Sequence, residues 1–187
     1  MSLISKNLIF RAIEEKDLPL MVKWRNDPEN NYYFYEHEPL SMPMQKIWFE
    51  KYLKNINTDK IFIIDEKVSE QTIGMVSVYH IDWRNRKAEW GRVLITPPFR
   101  NKGYGKEIDA VIQVYCFEEL NLNKLYREVF CFNKRAITLY EKMGSKIEGI
   151  LRQHVYRHGK YQDVVVMSIL KEDYLALKEK GFYEPYF

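Results

Sequence analysis

Apolar residues recur along the chain at two spacings, one typical of strands and one typical of helices. Short apolar runs bounded by turn residues predict strands over residues 8–13, 61–64, 72–79, 87–95, 124–131, 147–155 and 163–170. Apolar residues three or four positions apart predict helices over residues 17–26, 44–55, 103–119 and 134–143. A turn at His158-Gly159 joins the last two strands. This order of elements predicts an α/β domain with a mixed sheet.

The chain is long enough to form one packed domain. It has 187 residues, of which 46% are hydrophobic. No internal repeat, low-complexity tract or Ser/Gly linker divides it. We therefore expect a single domain over residues 1–187, with its core within about residues 8–170.

Charge and cysteine content argue against several protein classes. The formal net charge of +3 is too small to favour nucleic acid, whose binding proteins carry a concentrated basic patch. The sequence has no run of about 18 apolar residues, so we expect no membrane partner. Cys116 and Cys131 lack the spacing of metal ligands, which predicts reduced thiols and no metal site. These features favour a cytoplasmic protein.

The segment 93–106 carries the clearest chemical signal. A strand ends at a double proline, basic residues follow, and Gly103 and Gly105 open a helix. The first amides of a helix lack partners within it, and its dipole favours an anion there. Glycine lets an anion approach these amides, and Arg100 and Lys102 add positive charge. The turn lacks the glycines of a Walker loop or a Rossmann fingerprint. By itself, it fits either a diphosphate site or an ordinary turn with solvent-facing bases.

Two motifs in this order resemble those of a known family. Arg-x-x-Gly-x-Gly, after Val-Leu-Ile-x-Pro, resembles the acetyl-CoA signature of the GNAT superfamily of N-acetyltransferases. Residues 133–144 resemble its second motif, Asn-x-x-Ala-x-x-Leu-Tyr-x-x-x-Gly. The resemblance implies an acetyl-CoA-dependent enzyme, with a mixed, mostly antiparallel sheet and helices on both faces. Acetyl-CoA would be its co-substrate.

The acceptor amine is harder to read. Residues 148–152 and 158–163 are similar to the ribosomal-protein N-terminal (alanine) acetyltransferases, which implies that the acceptor is a protein N-terminus. Residues 24–28 resemble both that group and the amino-sugar N-acetyltransferases of pseudaminic acid synthesis. The alternatives are a small amine, such as a nucleotide-linked amino sugar or a polyamine, and a non-catalytic acyl-CoA-binding module. A homodimer is a further possibility.

The resemblance also implies which residues bind the cofactor. The strand 87–95 and the strand 124–131 would splay apart, and the cofactor arm would contact backbone groups of Val93, Leu94 and Ile95. The diphosphate would lie against the turn formed by Arg100, Asn101, Lys102, Gly103, Tyr104, Gly105 and Lys106. The second motif would contribute Asn133 and Arg135. Asn133 would bind the cofactor, cap the following helix, or do both.

Two residues are candidates for proton transfer. Tyr140, at the motif's tyrosine, would protonate the departing CoA thiolate as general acid; otherwise it is a core tyrosine. Glu89 would relay the proton of the acceptor ammonium as general base; otherwise it is an exposed carboxylate paired with Arg86 or Lys87. Alignment of amine and thioester is itself a large effect. Strict strand alternation would place on one face Glu89, Gly91, Val93 and Ile95.

An aromatic segment precedes the second predicted helix. It lies where the family places its substrate-binding helices. Its residues would either bind the acceptor or pack beneath a loop. The segment consists of Trp24, Arg25, Tyr32, Tyr33, Phe34, Tyr35 and His37.

Overall fold

The computed structural model describes residues 3–187, so Met1 and Ser2 of the predicted domain lie outside the described residues. The strands are β1 (Leu3–Ile4), β2 (Leu8–Ala12), β3 (Lys60–Glu66), β4 (Thr72–Asp82), β5 (Lys87–Ile95), β6 (Lys124–Phe130), β7 (Lys146–Arg157) and β8 (Lys160–Leu170). The α-helices are α1 (Leu18–Asn26), α2 (Pro28–Asn31), α3 (Met42–Lys54), α4 (Tyr104–Val114), α5 (Lys134–Lys142) and α6 (Lys171–Glu179). Among these helices, none is long and apolar enough to cross a membrane.

The strands form one sheet in the order β1-β2-β3-β4-β5-β6-β8-β7. Neighbouring strands run antiparallel, except that β5 and β6 run parallel. One apolar cluster packs α4 against one face of the sheet, and a second packs α1 and α3 against the other. The predicted α/β class, with a mostly antiparallel mixed sheet and helices on both faces, is therefore confirmed.

The central feature of the sheet is the short contact between β5 and β6. Their ladder contains three residue pairs and ends where Glu89 faces Tyr126. Both strands continue beyond that point, β5 to Ile95 and β6 to Phe130. The strands therefore separate, which leaves the β5 edge from Trp90 onward free of β6. The opening faces the first turn of α4.

One prediction about β5 is wrong. Relative to β4, β5 contains one extra residue between Gly91 and Leu94. Arg92, within this bulge, has a φ of +51°. A bulge shifts the alternation of side chains by one position. Glu89 therefore shares a face with Leu94, and it does not share one with Val93 and Ile95.

The helices differ from the sequence prediction at several points: α4 ends at Val114 rather than residue 119, and α2 was not predicted. Helix α3 begins at Met42 rather than residue 44, because Ser41 caps it and Pro43 is tolerated in a first turn, where amides lack helical partners. Helix α6 was not predicted, since Tyr174 is its one buried residue. Tyr174 and Tyr183 are both buried in the main apolar cluster. The packed core thus reaches past residue 170.

Candidate active site

A cavity of about 420 Å³ occupies the opening between β5 and β6. It is bordered by the two strands, the start of α4, helix α5 and part of the aromatic segment. The predicted site residues that line it are Val93, Leu94, Ile95, Arg100, Asn101, Gly103, Tyr104, Gly105, Lys106, Asn133, Arg135 and Tyr140. Two predicted residues, Lys102 and Glu89, lie outside this lining. The fold thus brings the two sequence motifs together at one opening.

The start of α4 has the geometry of an anion site. Gly103 caps the helix with a φ of +87°, a left-handed conformation that favours glycine. A Cβ added there would meet no atom of residues 3–187 within 4 Å, so the backbone is open to a ligand. At Gly105 an added Cβ would lie 2.8 Å from Leu139 Cδ1 of α5. Gly103 thus keeps the helix start accessible, and Gly105 allows α4 to approach α5. The start of α4, residues 103–106, is thus a cradle that is open to an anionic ligand.

The Arg100 side chain is less free to meet a phosphate than its position in the motif suggests. Its Nε donates to the Ile95 carbonyl at 2.9 Å, and its Nη1 lies 3.2 Å from Glu29 Oε2. Its Nη2 donates to Asn30 Oδ1. The guanidinium therefore fastens the turn to β5 and α2. Neutralisation of a ligand's charge by Arg100 is correspondingly reduced.

Two other side chains of the turn are directed elsewhere. Lys102 Nζ lies 4.6 Å from the centre of the Phe99 ring, and its side chain is exposed. Tyr104 is buried, and its hydroxyl donates to Glu66 Oε1 at 3.1 Å. The Tyr104 hydroxyl is therefore occupied by Glu66, and the Lys102 ammonium lies against Phe99.

The second motif is joined to the turn by side-chain contacts. Asn133 caps α5 by accepting from the Ala136 amide at 3.2 Å, so the capping role is observed. Arg135 Nη2 donates to Asn101 Oδ1 at 2.8 Å. These contacts fix the start of α5 beside the start of α4, and both helix starts border the same cavity.

Tyr140 lies half-buried on the wall of the cavity. Its ring meets the Trp90 ring edge to face, with centres 5.5 Å apart. Burial raises the pKa of the Tyr140 phenol, although the positive charge of Arg127 opposes the shift. The phenol is therefore protonated at neutral pH, which is the state that a proton donor requires.

A buried ion pair supports this tyrosine, and the sequence analysis did not find it. Arg127 of β6 lies with its guanidinium carbon 4.0 Å from the centre of the Tyr140 ring. Its Nη1 donates to Asp109 Oδ2 at 3.1 Å, and the two side chains are 2% and 0% exposed. Since 18 residues separate Arg127 from Asp109 along the chain, no local pattern could have predicted the pair.

Glu89 lies on the opposite side of the opening. Its Oε1 accepts from the Tyr79 hydroxyl at 2.8 Å, and its Oε2 lies 3.1 Å from His80 Nδ1. Tyr79 borders the cavity, although Glu89 itself does not. Its partners are therefore Tyr79 and His80, and the alternative pairing with Arg86 or Lys87 is not the one observed.

A second carboxylate, Glu128, lies on the same face of the sheet and borders the cavity. Glu89 pairs with Tyr126, and Glu128 follows Tyr126 by two residues, so the three share a face. The Tyr35 hydroxyl donates to Glu128 Oε2 at 3.2 Å. Burial, followed by the negative charges of Glu128 and Glu89, raises the pKa of Tyr35. Glu128 and the neutral phenol of Tyr35 therefore border the opening, and Glu89 lies on the same face of the sheet, behind Tyr79.

The aromatic segment divides between packing and the site. Trp24 is buried in the apolar cluster under α1, which confirms the packing alternative for that residue. Tyr33, Phe34 and Tyr35 border the cavity. Tyr32 stacks on His158, with ring centres 4.2 Å apart, at the tip of the β7–β8 hairpin. The segment therefore borders the cavity through Tyr33, Phe34 and Tyr35, and Tyr32 joins it to the hairpin.

Comparison with known proteins agrees with this geometry. The family model described as an acetyltransferase (GNAT) domain matches residues 7–146. A spermidine N(1)-acetyltransferase of Vibrio cholerae is 30% identical over 94% of this chain and 100% of its own length. The corresponding Escherichia coli K12 protein is 26% identical over 89% of this chain and 87% of its own length. A crystal structure of the Vibrio cholerae enzyme with CoA and spermine superposes with a TM-score of 0.85, at 30% identity, over 90% of this chain and 98% of that one.

The chain belongs to the GNAT acetyltransferase family. It is an N-acetyltransferase that moves an acetyl group from acetyl-CoA to an amine, as the motifs predicted. The expected closeness to the ribosomal-protein group extends over less of the chain. A Bacillus subtilis protein named as a ribosomal N-acetyltransferase is 34% identical over 54% of this chain and 55% of its own length.

Proposed function

We propose that this enzyme acetylates a small polyamine, with Tyr140 as the general acid and Glu89 as the base. The observation that carries the acceptor assignment is that two carboxylates share one face of the sheet at the opening: Glu128 borders the cavity, and Glu89 lies behind Tyr79. A polyamine has several ammonium groups, so one carboxylate can receive a proton from the reacting nitrogen while the other binds a second ammonium. Direct attack in a ternary complex is the expected route.

The cofactor residues support this proposal by their arrangement. The free edge of β5 offers backbone groups of Val93, Leu94 and Ile95 to an extended cofactor arm. The open amides that follow Gly103 would hold the diphosphate. This arrangement would direct the thioester toward the Tyr140 side of the cavity. When bound, acetyl-CoA supplies the activated acyl group.

Tyr140 would act on the leaving group. Its proton would pass to the CoA sulfur as the carbon–sulfur bond breaks, and the O–H electron pair would stay on the phenol oxygen. The family motif places a tyrosine at this position, and burial of the phenol keeps it protonated until that moment. We expect Tyr140→Phe to lower kcat by about 100-fold and to leave the Kd for CoA unchanged.

Glu89 would act on the attacking nitrogen. An alkylammonium has a pKa of about 10 and must lose a proton before it can attack. Because Glu89 lies behind Tyr79, the proton would reach it through a water molecule or through that hydroxyl. The hydrogen bonds from Tyr79 and His80 hold the carboxylate on this side of the opening.

The relatives favour a polyamine over a protein N-terminus. The spermidine acetyltransferases match nearly the whole chain, whereas the match to a ribosomal acetyltransferase covers about half of it. A negatively charged amino-sugar nucleotide would also be repelled by the two carboxylates. Three expectations stay predictions: a cytosolic location, the absence of nucleic-acid and membrane partners, and a homodimer.

The test is release of free CoA with three acceptors: spermidine, a peptide with a free N-terminus and a nucleotide-linked amino sugar. We expect the highest kcat/KM with spermidine. Glu128→Gln should raise the KM for spermidine about tenfold, the loss of one charged contact, without changing the KM for acetyl-CoA. Glu172→Gln, at an exposed position on α6, is the matched control. A preference for the peptide, or an unchanged KM in Glu128→Gln, would contradict the acceptor assignment.

A further inference from the structure

Arg127 occupies an unusual position beside the proposed acid. Its guanidinium carbon lies against two aromatic rings that also contact each other, 3.9 Å from the centre of Trp90 and 4.0 Å from the centre of Tyr140. The side chain is 2% exposed and borders the cavity. A guanidinium is planar and stacks on aromatic faces. Arg127 thus contacts both β5, through Trp90, and α5, through Tyr140.

The guanidinium is itself held from behind. Asp109 of α4 accepts its Nη1 hydrogen bond at 3.1 Å and a second bond from Gln113 Nε2 at 2.7 Å. Gln113 also donates to the Met143 carbonyl at 2.9 Å, just after the end of α5. The ion pair is therefore connected to the helix that carries Tyr140. Rotation of the Arg127 plane would break this network.

The rest of the guanidinium has no hydrogen-bond acceptor in the part of the chain that the structure describes. Arg127 Nε and Nη2 are buried and lack a hydrogen-bond acceptor among residues 3–187. A buried, unpaired N–H group is costly, and an ion pair this deep does not by itself stabilise a fold. Packing alone therefore does not account for an arginine at this position. The positive charge borders the cavity where the reaction is proposed to occur.

We propose that Arg127 is a positioning residue for Tyr140, holding its ring in place and stabilising the negative charge that the phenol oxygen gains as its proton leaves. This inference rests on the proposed role of Tyr140 as acid. The phenolate forms in a buried site, where a nearby charge is poorly screened. Arg127 on β6 and Asp109 on α4 are the charged groups that act on this phenol. The phenol regains its proton from solvent after the thiol has formed.

The test is a double-mutant cycle between this ion pair and Tyr140. Arg127→Met alone would leave Asp109 charged and unpaired, so the ion pair is removed as a unit with Arg127→Met/Asp109→Leu. We expect kcat to fall about tenfold, part of the general-acid effect, while the KM for acetyl-CoA stays within about twofold. In the Tyr140→Phe background, the same change should cause no further loss, because Arg127 acts through the phenol.

The outcomes separate this inference from the proposed function. An equal loss of kcat in both backgrounds would overturn the inference, because the ion pair would then be merely structural. An unchanged kcat in the ion-pair variant, with Tyr140→Phe impaired, would also overturn the inference about Arg127. The acid role of Tyr140 would then still stand. Full activity of Tyr140→Phe would contradict both the acid role of Tyr140 and the positioning role of Arg127.

A second variant covers the case in which the apolar pair does not fold. Arg127→Lys keeps the charge opposite Asp109 but loses the planar guanidinium that contacts the Tyr140 ring. We expect it to retain the parent Tm within a few degrees and to lose several-fold in kcat, again only when Tyr140 is present. Parent kcat in this variant, with Tyr140→Phe impaired, would show that the guanidinium contact does not position the acid.

Discussion

Gly103 offers a direct way to separate backbone strain from ligand binding. Its φ of +87° is left-handed, so Gly103→Ala should strain the backbone. The added methyl meets no atom of residues 3–187 within 4 Å, so it should not disturb the packing. Any effect beyond strain must therefore arise from a ligand at the start of α4.

The expected magnitudes follow from these two facts. An L-residue in the left-handed region costs about 1–2 kcal/mol, and a domain of this size loses about 2–4 °C in Tm per kcal/mol. A diphosphate pushed away from one amide would lose a charge-assisted hydrogen bond of about 1.5–3 kcal/mol. The Kd for CoA should then rise roughly 10- to 150-fold.

Gly159 provides the matched control. It lies at the tip of the β7–β8 hairpin with a φ of +74°, and an added Cβ there also meets no described atom within 4 Å. It is not part of the cavity lining. Thermal unfolding and calorimetric titration with CoA should show similar losses of Tm in Gly103→Ala and Gly159→Ala, with weakened CoA binding only in Gly103→Ala. Equal CoA affinity in the two variants would refute the cradle.

Three further changes test other parts of the structure. Asn133→Ala removes the cap of α5, so the free energy of unfolding should fall by about 1 kcal/mol in denaturant titration; an unchanged midpoint would contradict the observed cap. Arg100→Glu should raise the KM for acetyl-CoA about tenfold, because it releases the turn from the Ile95 carbonyl and adds a negative charge; an unchanged KM would argue against a diphosphate at this turn. Burial raises the pKa of the Cys116 thiol, so iodoacetamide at neutral pH should label it only in the unfolded protein, and rapid labelling in the native state would show that this residue is not buried.

The sequence predicted the order of elements well because the two periodicities are strong. Helix α4, with buried apolar positions at Ile108, Val111 and Ile112, is one such case. The sheet edge β1 and the C-terminal helix α6 gave no comparable signal. β1 has two residues, and α6 buries one side chain. Such short or mostly exposed elements depend on tertiary contacts that a local pattern does not record.

The site was predictable where a motif fixes the backbone and less so where side chains meet across the fold. Gly103 and Tyr140 follow from motif positions. The bulge at Arg92 has no sequence signature. The pairing of β4 with β5, rather than the arginine itself, sets the left-handed backbone conformation there. The contacts of Arg100 with α2, and of Arg127 with Asp109, join distant segments. These tertiary contacts decide which charges remain available to a ligand.

The start of α4 as the diphosphate cradle is the claim on which the other assignments depend. A crystal structure of the complex with CoA tests it most directly. We expect the diphosphate oxygens to lie about 3 Å from backbone nitrogens of residues 103–106, with the pantetheine arm along the free edge of β5. A diphosphate bound elsewhere on the molecule, or an arm outside the opening between β5 and β6, would contradict the account.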